Sequence, residues 1–298
     1  MIRYLGYPCI NISLGNDVSN SRTCRIASIT KDKINDICLK NTTDLIKILE
    51  WNLANKIYYF RLSSNFFPFM DHPRYSYKLS DLESGDGIIG EFKRCGDFIR
   101  KHNMRVSCHP GQYTVLASDS QEIINKSIES LKMHSLIGDL LELDGLDFAV
   151  NIHVGTKFSK ERAKIFCDSF KKMPLDVQKR ITVENDDKSN CWSVSNLYDY
   201  IYGEIGTPIC FDYHHWNCHN GDLNAEDSFK KSVSTWVNRI PEAHISTGQN
   251  GLTDRSHAGY IVGPIENWHD SETIDLMFEA KQKDLALIRW REDNKYVY

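Results

Sequence analysis

No two of the nine cysteines form a Cys-x-x-Cys pair, which removes the zinc-ribbon and dithiol redox classes. They read as reduced thiols of an intracellular protein, in cytoplasm or nucleus. No apolar run reaches the roughly 20 residues that a membrane-spanning helix needs, so no membrane partner is expected. The start, Met1-Ile2-Arg3-Tyr4, lacks the pattern of a secretory signal. Positive charge is not in excess: 36 Lys and Arg stand against 40 Asp and Glu, for a net charge of −4. Composition therefore announces no nucleic-acid partner, although an acidic metal site inside a basic rim would also sum near zero. No Gly-x-Gly-x-x-Gly follows the first expected strand, which counts against a nucleotide cofactor. Fixed-period repeats, low-complexity segments and linker-like shifts of composition are also missing.

What is present is a globular composition, 41% hydrophobic and 26% charged over 298 residues. That length suits a single α/β barrel over 1–298. Strands are expected at 3–7, 57–62, 105–108, 148–152, 181–184, 208–211, 243–245 and 274–278, from short β-branched and aromatic runs. Helices are expected at 30–39, 41–55, 88–101, 121–141, 159–172, 195–202, from 222 or 224 to 236, and 281–290. Asn41 or Thr42 is the expected cap of the second and Ser159 that of the fifth. Alternating strands and helices imply a parallel sheet, and eight such units imply a closed (β/α)₈ (TIM) barrel, with an open doubly wound sheet as the alternative.

The segment Ile181-Thr182-Val183-Glu184-Asn185-Asp186-Asp187 runs from a buried strand into three carboxylates. Bare burial of so much charge costs several kcal/mol or more. This end must face water or be held by cations. The pattern recurs: His109, His153, Glu184, Asp212, His244 and Glu279 each fall at or near the C-terminal end of an expected strand. In a (β/α)₈ barrel those ends meet on the face that carries active sites. Imidazoles and carboxylates together suit Zn²⁺, Mn²⁺ or Fe²⁺, and no thiolate belongs to the expected set.

These residues sit in longer motifs: Ile2-Arg3-Tyr4-Leu5-Gly6-Tyr7, Arg22-Thr23-Cys24-Arg25, Tyr59-Phe60-Arg61-Leu62-Ser63-Ser64, His109-Pro110-Gly111-Gln112-Tyr113, Val183-Glu184-Asn185-Asp186-Asp187, Asp212-Tyr213-His214-His215 and Glu279-Ala280-Lys281. In that order and spacing the chain resembles the UV damage endonuclease family over nearly its whole length. The resemblance implies a TIM barrel with two to three divalent ions, Mn²⁺ first and Zn²⁺ or Mg²⁺ as alternatives. It implies His72, His109, His153, Glu184, Asp212, His215, His244, His257 and Glu279 as ligands, with Glu184 bridging. His72 and His257 stand in loops, and only the resemblance points to them. Two positions depart from the family pattern. Glu242 replaces an expected carboxylated lysine and would supply that group's negative charge, and Gly259 replaces an acidic residue beside Tyr260. Glu184, Glu242 and His257 are thus the expected catalytic residues.

The same resemblance implies that Gln112 and Tyr113 probe the duplex and that Tyr7 and Asn11 lie near a flipped photoproduct. Damaged dipyrimidines stack poorly, so extruding them costs less than extruding normal bases. Lys157, Lys160, Arg162 and Lys164 are candidate phosphate contacts. The implied activity is metal-dependent hydrolysis of double-stranded DNA 5′ to cyclobutane dimers and 6-4 photoproducts, by a monomer, leaving 3′-hydroxyl and 5′-phosphate ends. An abasic-site endonuclease, a metal-dependent sugar isomerase and an inactive damage-binding protein are the alternatives.

Overall fold

In the computed structural model, which describes residues 1–270 and 272–296, eight parallel strands close into one barrel in sequence order. They are β1 (Ile2–Pro8), β2 (Tyr59–Leu62), β3 (Arg105–Cys108), β4 (Phe148–Ile152), β5 (Ile181–Glu184), β6 (Ile209–Asp212), β7 (Glu242–Ile245) and β8 (Ile274–Phe278). β8 pairs back onto β1, so no sheet edge remains and the open-sheet alternative is excluded. Strands β2 to β8 are buried throughout. Helices cover the outer face, which is why these strands read as apolar runs rather than clean alternations.

The two helices expected at 30–39 and 41–55 are one, Lys31–Ala54, capped by Thr30, whose hydroxyl accepts from Lys33 N. Asn41 is not a cap. Its side chain is buried and ties in a loop, accepting from Arg22 N at 3.0 Å and donating to the carbonyls of Arg22 and Phe66. Asn favours a cap by its local chemistry, and here tertiary partners take those bonds instead. Ser159 caps Lys160–Phe170 as expected. The closing helix begins at Lys283 rather than 281, because Lys281 N and Gln282 N donate to the carbonyls of Ala258 and Gly259. Those bonds draw the loop carrying His257 against the end of β8. Among the described residues no helix is long and apolar enough to cross a membrane.

The barrel interior departs from the usual layers of branched aliphatic side chains. At its floor Arg105 on β3 donates from Nε to Glu242 Oε1 at 2.8 Å and from Nη1 to Asp275 Oδ2 at 2.8 Å. Arg3 on β1 donates from Nε to Asp275 Oδ1 at 2.8 Å. Above this the Tyr59 and Ser107 hydroxyls meet at 3.2 Å, and Thr182 Oγ1 donates to Asn151 Oδ1 at 2.9 Å. Side chains alternate along a strand. The next inward positions after Tyr59, Ser107, Asn151 and Thr182 are Arg61, His109, His153 and Glu184, at the C-terminal mouth. Gly6 on β1 lets the wall close: a Cβ there would lie 2.7 Å from the Tyr59 carbonyl oxygen.

Candidate metal centre

Glu184, the last residue of β5, is the hub of the mouth. It is buried and accepts a hydrogen bond from Asn151 Nδ2. Its Oε2 lies 3.3 Å from His109 Nε2, 3.3 Å from His244 Nδ1 and 4.0 Å from His153 Nε2. Its Oε1 lies 3.2 Å from His215 Nδ1. One carboxylate thus faces four imidazoles from four different elements. Burial alone would raise its pKa. The nearby imidazoles of His244, His153, His109 and His215 outweigh that and hold it well below the usual carboxylate range.

Asp212 ends β6 and does two jobs. Its Oδ1 accepts from His215 N at 2.7 Å, capping the helical turn Tyr213–Cys218 and so placing His215. Its Oδ2 remains free for the centre, 3.8 Å from His215 Nδ1 and 4.0 Å from His244 Nδ1. Glu279, just past β8, places Oε1 3.3 Å from His244 Nδ1. The buried Arg61 guanidinium holds that same oxygen and, against the cost of burial, keeps Glu279 ionised.

Backbone carbonyls orient the imidazoles. Nδ1 of His109, His215 and His257 each lies in hydrogen-bond contact with a carbonyl, of Pro110, Asn185 and Glu279 respectively. A ring that donates from Nδ1 leaves its Nε2 lone pair for a cation, which is how metal-ligating histidines are usually fixed. His153 Nδ1 lies 2.9 Å from Asp186 Oδ1, a carboxylate–imidazole pair of the same kind.

The residues fit divalent ions on a structural observation of their own. Among the described residues Glu184 Oε1, Asp212 Oδ2 and both ring nitrogens of His244 are buried without a hydrogen-bond partner. Each such atom costs about 1–3 kcal/mol or more if left so. Cations are the partners this donor set suits. Ligand atoms fall within 4.8 Å of one another in the sets His109–His153–Glu184, Glu184–Asp212–His215, Asp212–His244–Glu279 and Glu184–Cys210–His244.

Beside the hub opens a cavity of about 530 Å³, lined among others by His109, Gln112, His153, Asp186, Lys157 and Lys188. A second, of about 570 Å³, is lined by Phe69, His72, Gln112 and Tyr113. Gln112 lines both cavities, and Tyr113 is 84% exposed. An exposed aromatic on the rim of a polar mouth buries nothing of its own chain and is free to meet a partner.

The match to known proteins agrees with this geometry. The family model described as UV-endonuclease UvdE matches residues 3–296. The chain belongs to the UV-endonuclease UvdE family. A relative named UV DNA damage endonuclease from Bacillus anthracis is 31% identical, with 98% of this chain and 95% of the relative covered. The UV-damage endonuclease of Schizosaccharomyces pombe is 32% identical over 95% of this chain and 49% of that longer protein. The crystal structure of SacUVDE superposes with a TM-score of 0.85 at 29% identity, covering 99% of both chains.

Several expected site residues lie elsewhere than the family resemblance implied. Tyr7 and Asn11 are buried. The Tyr7 hydroxyl donates to Asn52 Oδ1 at 2.6 Å and accepts from Asn11 Nδ2 at 2.8 Å. Both side chains thus stand inside, tied to each other and to the helix Lys31–Ala54. Glu242 also stands away from the hub. It heads β7, one alternation below His244, and its Oε1 is held by Arg105 rather than by the centre. Glu242 belongs to none of the ligand sets among the described residues. His72 lines the second cavity, its Nδ1 accepting from Arg74 N at 3.1 Å, and joins no ligand set. His257 stands at the edge, 3.9 Å from Glu279 Oε2. Of the candidate phosphate contacts only Lys157 lines the first cavity. Arg162 pairs with Asp119, and Lys164 pairs with Asp168.

Sequence reading missed Asn151, Arg61, Asp186 as a partner of His153, and Cys210. The period-2 signal could have found Arg61, Asn151 and Cys210, since each shares the inward face of its strand with a mouth or interior residue.

Proposed function

We propose that this chain is a metal-dependent DNA repair endonuclease, acting as one catalytic unit and as a monomer, which nicks double-stranded DNA 5′ to UV photoproducts. The observation that carries the reading is the pairing of two features: a buried Glu184 facing four imidazoles, and an exposed Gln112–Tyr113 tip on the rim beside it. The first is a site for cations and the second a site for something large and aromatic.

His109, His153, Glu184, Asp212, His215, His244 and Glu279 would hold two to three divalent ions, manganese being the metal the family suggests. Bound ions would supply positive charge at the scissile phosphate and make a water nucleophilic near neutral pH. The chain's own residues do the rest. Arg61 fixes Glu279, Asp186 fixes His153, and the Asn185 carbonyl fixes His215, so that ligand atoms stay within reach of one position. Lys157 and Lys188, exposed on the first cavity, attract backbone phosphates. Tyr113 enters the stack where a damaged pair is weak, worth on the order of 1–3 kcal/mol. Hydrolysis adds water oxygen to phosphorus, breaks the phosphorus–O3′ bond and leaves the proton on O3′, giving 3′-hydroxyl and 5′-phosphate ends.

A nicking assay tests this. Labelled duplexes carrying one cyclobutane dimer, one 6-4 photoproduct, one abasic site or no lesion are incubated with Mn²⁺ and with chelator. Manganese-dependent cleavage 5′ to the photoproducts supports the proposal. Cleavage only at the abasic site moves the assignment to an abasic-site endonuclease. Tight binding to the dimer duplex without cleavage marks an inactive damage binder.

A further inference from the structure

The ligands implied by the family leave one group at the hub unused. Cys210 lies on β6 two residues before Asp212, with its thiol buried, and pairs in register with Glu184 on β5. Its Sγ, a Glu184 carboxylate oxygen and a His244 ring nitrogen all lie within 4.8 Å of one another. A buried cysteine alone would be a small hydrophobe. The independent observation is His244. It is fully buried, and among the described residues neither of its ring nitrogens makes a hydrogen bond. Nδ1 stands 3.3 Å from Glu184 Oε2 and 3.3 Å from Glu279 Oε1. An imidazole enclosed in this way, with two carboxylates and a thiol around it and no well-formed hydrogen bond at either nitrogen, suits a cation.

We infer that Cys210 is a thiolate ligand of the metal centre, forming with Glu184 and His244 a mixed sulfur, nitrogen and oxygen site that prefers a borderline-soft ion such as Zn²⁺ over Mn²⁺. The inference rests on the metal-centre reading and narrows it. Sulfur favours zinc or cobalt where carboxylate and imidazole alone would leave manganese competitive. Coordination replaces the S–H bond with an S–metal bond, the proton leaves to water, and no electron is transferred.

The test is cobalt spectroscopy on the full chain, with Cys210→Ala and Cys210→Val as paired variants. Valine nearly keeps the side-chain volume, so one folded variant is secured. Wild-type protein titrated with Co²⁺ should show a near-ultraviolet thiolate-to-cobalt charge-transfer band together with visible ligand-field bands. The variants should lose the first and keep the second. In competition titrations, removing the thiol should lower zinc affinity by at least about 10- to 100-fold, the range for losing an outer partner of a metal site, and should change manganese affinity far less. A charge-transfer band that persists unchanged in both variants overturns the inference, because another cysteine then supplies it. Ligand-field bands without a charge-transfer band in the wild type overturn it too, and in that case the centre itself stands. Absence of all cobalt bands in the wild type overturns the metal centre and Cys210's role together.

Discussion

The two ends of the barrel bury acidic side chains of the same kind and treat them in opposite ways. At the floor, Glu242 and Asp275 meet the guanidinium groups of Arg105 and Arg3. At the mouth, Glu279 alone meets a guanidinium, that of Arg61, while Glu184 and Asp212 face imidazoles. A guanidinium is a permanent charge with a fixed fork of donors. Imidazoles give up their protons and accept a cation instead. The floor is therefore a guanidinium–carboxylate cluster that ties strands together, and the mouth is one whose donor set a cation would complete. The same amino acids thus become structure or site according to which base stands opposite.

This contrast can be broken at either end. The largest effect is expected at the mouth. Glu184→Gln should keep the fold by circular dichroism and lose nicking by at least about 100-fold, more than an outer partner of a metal site costs. A folded variant that nicks normally would remove Glu184 from the hub. At the floor, Arg105→Leu leaves Glu242 buried without its cation and should destabilise by about 3–5 kcal/mol in denaturant unfolding. Below its unfolding midpoint, metal binding should be unchanged. A metal-binding defect there would show that the two ends are coupled.

Tyr113→Ala should weaken binding to a dimer-containing duplex by about 1–3 kcal/mol, with stability intact. Tyr7→Phe serves as its counterpart: it should cost stability by about 1 kcal/mol through the lost hydroxyl bonds to Asn52 and Asn11 and leave lesion binding alone. If Tyr7→Phe instead weakened binding, the buried tyrosine would have to become accessible on DNA.

The last expected effect is a pH dependence. Burial disfavours the charged form of His215, but the Asp212 and Glu184 carboxylates prevail and raise its pKa well above the ordinary value. In the metal-free protein this group gives stability that is complete below its unfolded pKa and fades as pH rises through its raised folded pKa. A metal ion must displace the same proton, so metal affinity rises with pH by up to about tenfold per unit for each proton displaced. The melting-temperature gap between manganese-loaded and metal-free protein should widen as pH rises above the ordinary histidine range. A constant gap would show that His215 binds no ion.

The helix Lys31–Ala54 shows where local reading stops. Asn41 looked like a cap because an amide side chain can hold a helix N-terminus. Only the loop at Arg22 and Phe66, brought close by the fold, reveals that it bonds elsewhere. Glu242 teaches the same for the site. From sequence it stood beside His244 in place of a lysine. Its partner Arg105 lies on β3, and no spacing in the chain announces that meeting.

The sequence by itself determined the eight short strands, their alternation with helices and the ligand-type residues at their C-terminal ends, because strand length, side-chain period and turn chemistry are local. It also carried the family's motifs from the first strand to the last. Tertiary structure alone decided which inward residue faces which. Closing a parallel barrel fixes the stagger between neighbouring strands. That stagger set Glu242 against Arg105 at the floor, turned Tyr7 into the core, and brought the Cys210 thiol beside Glu184 and His244.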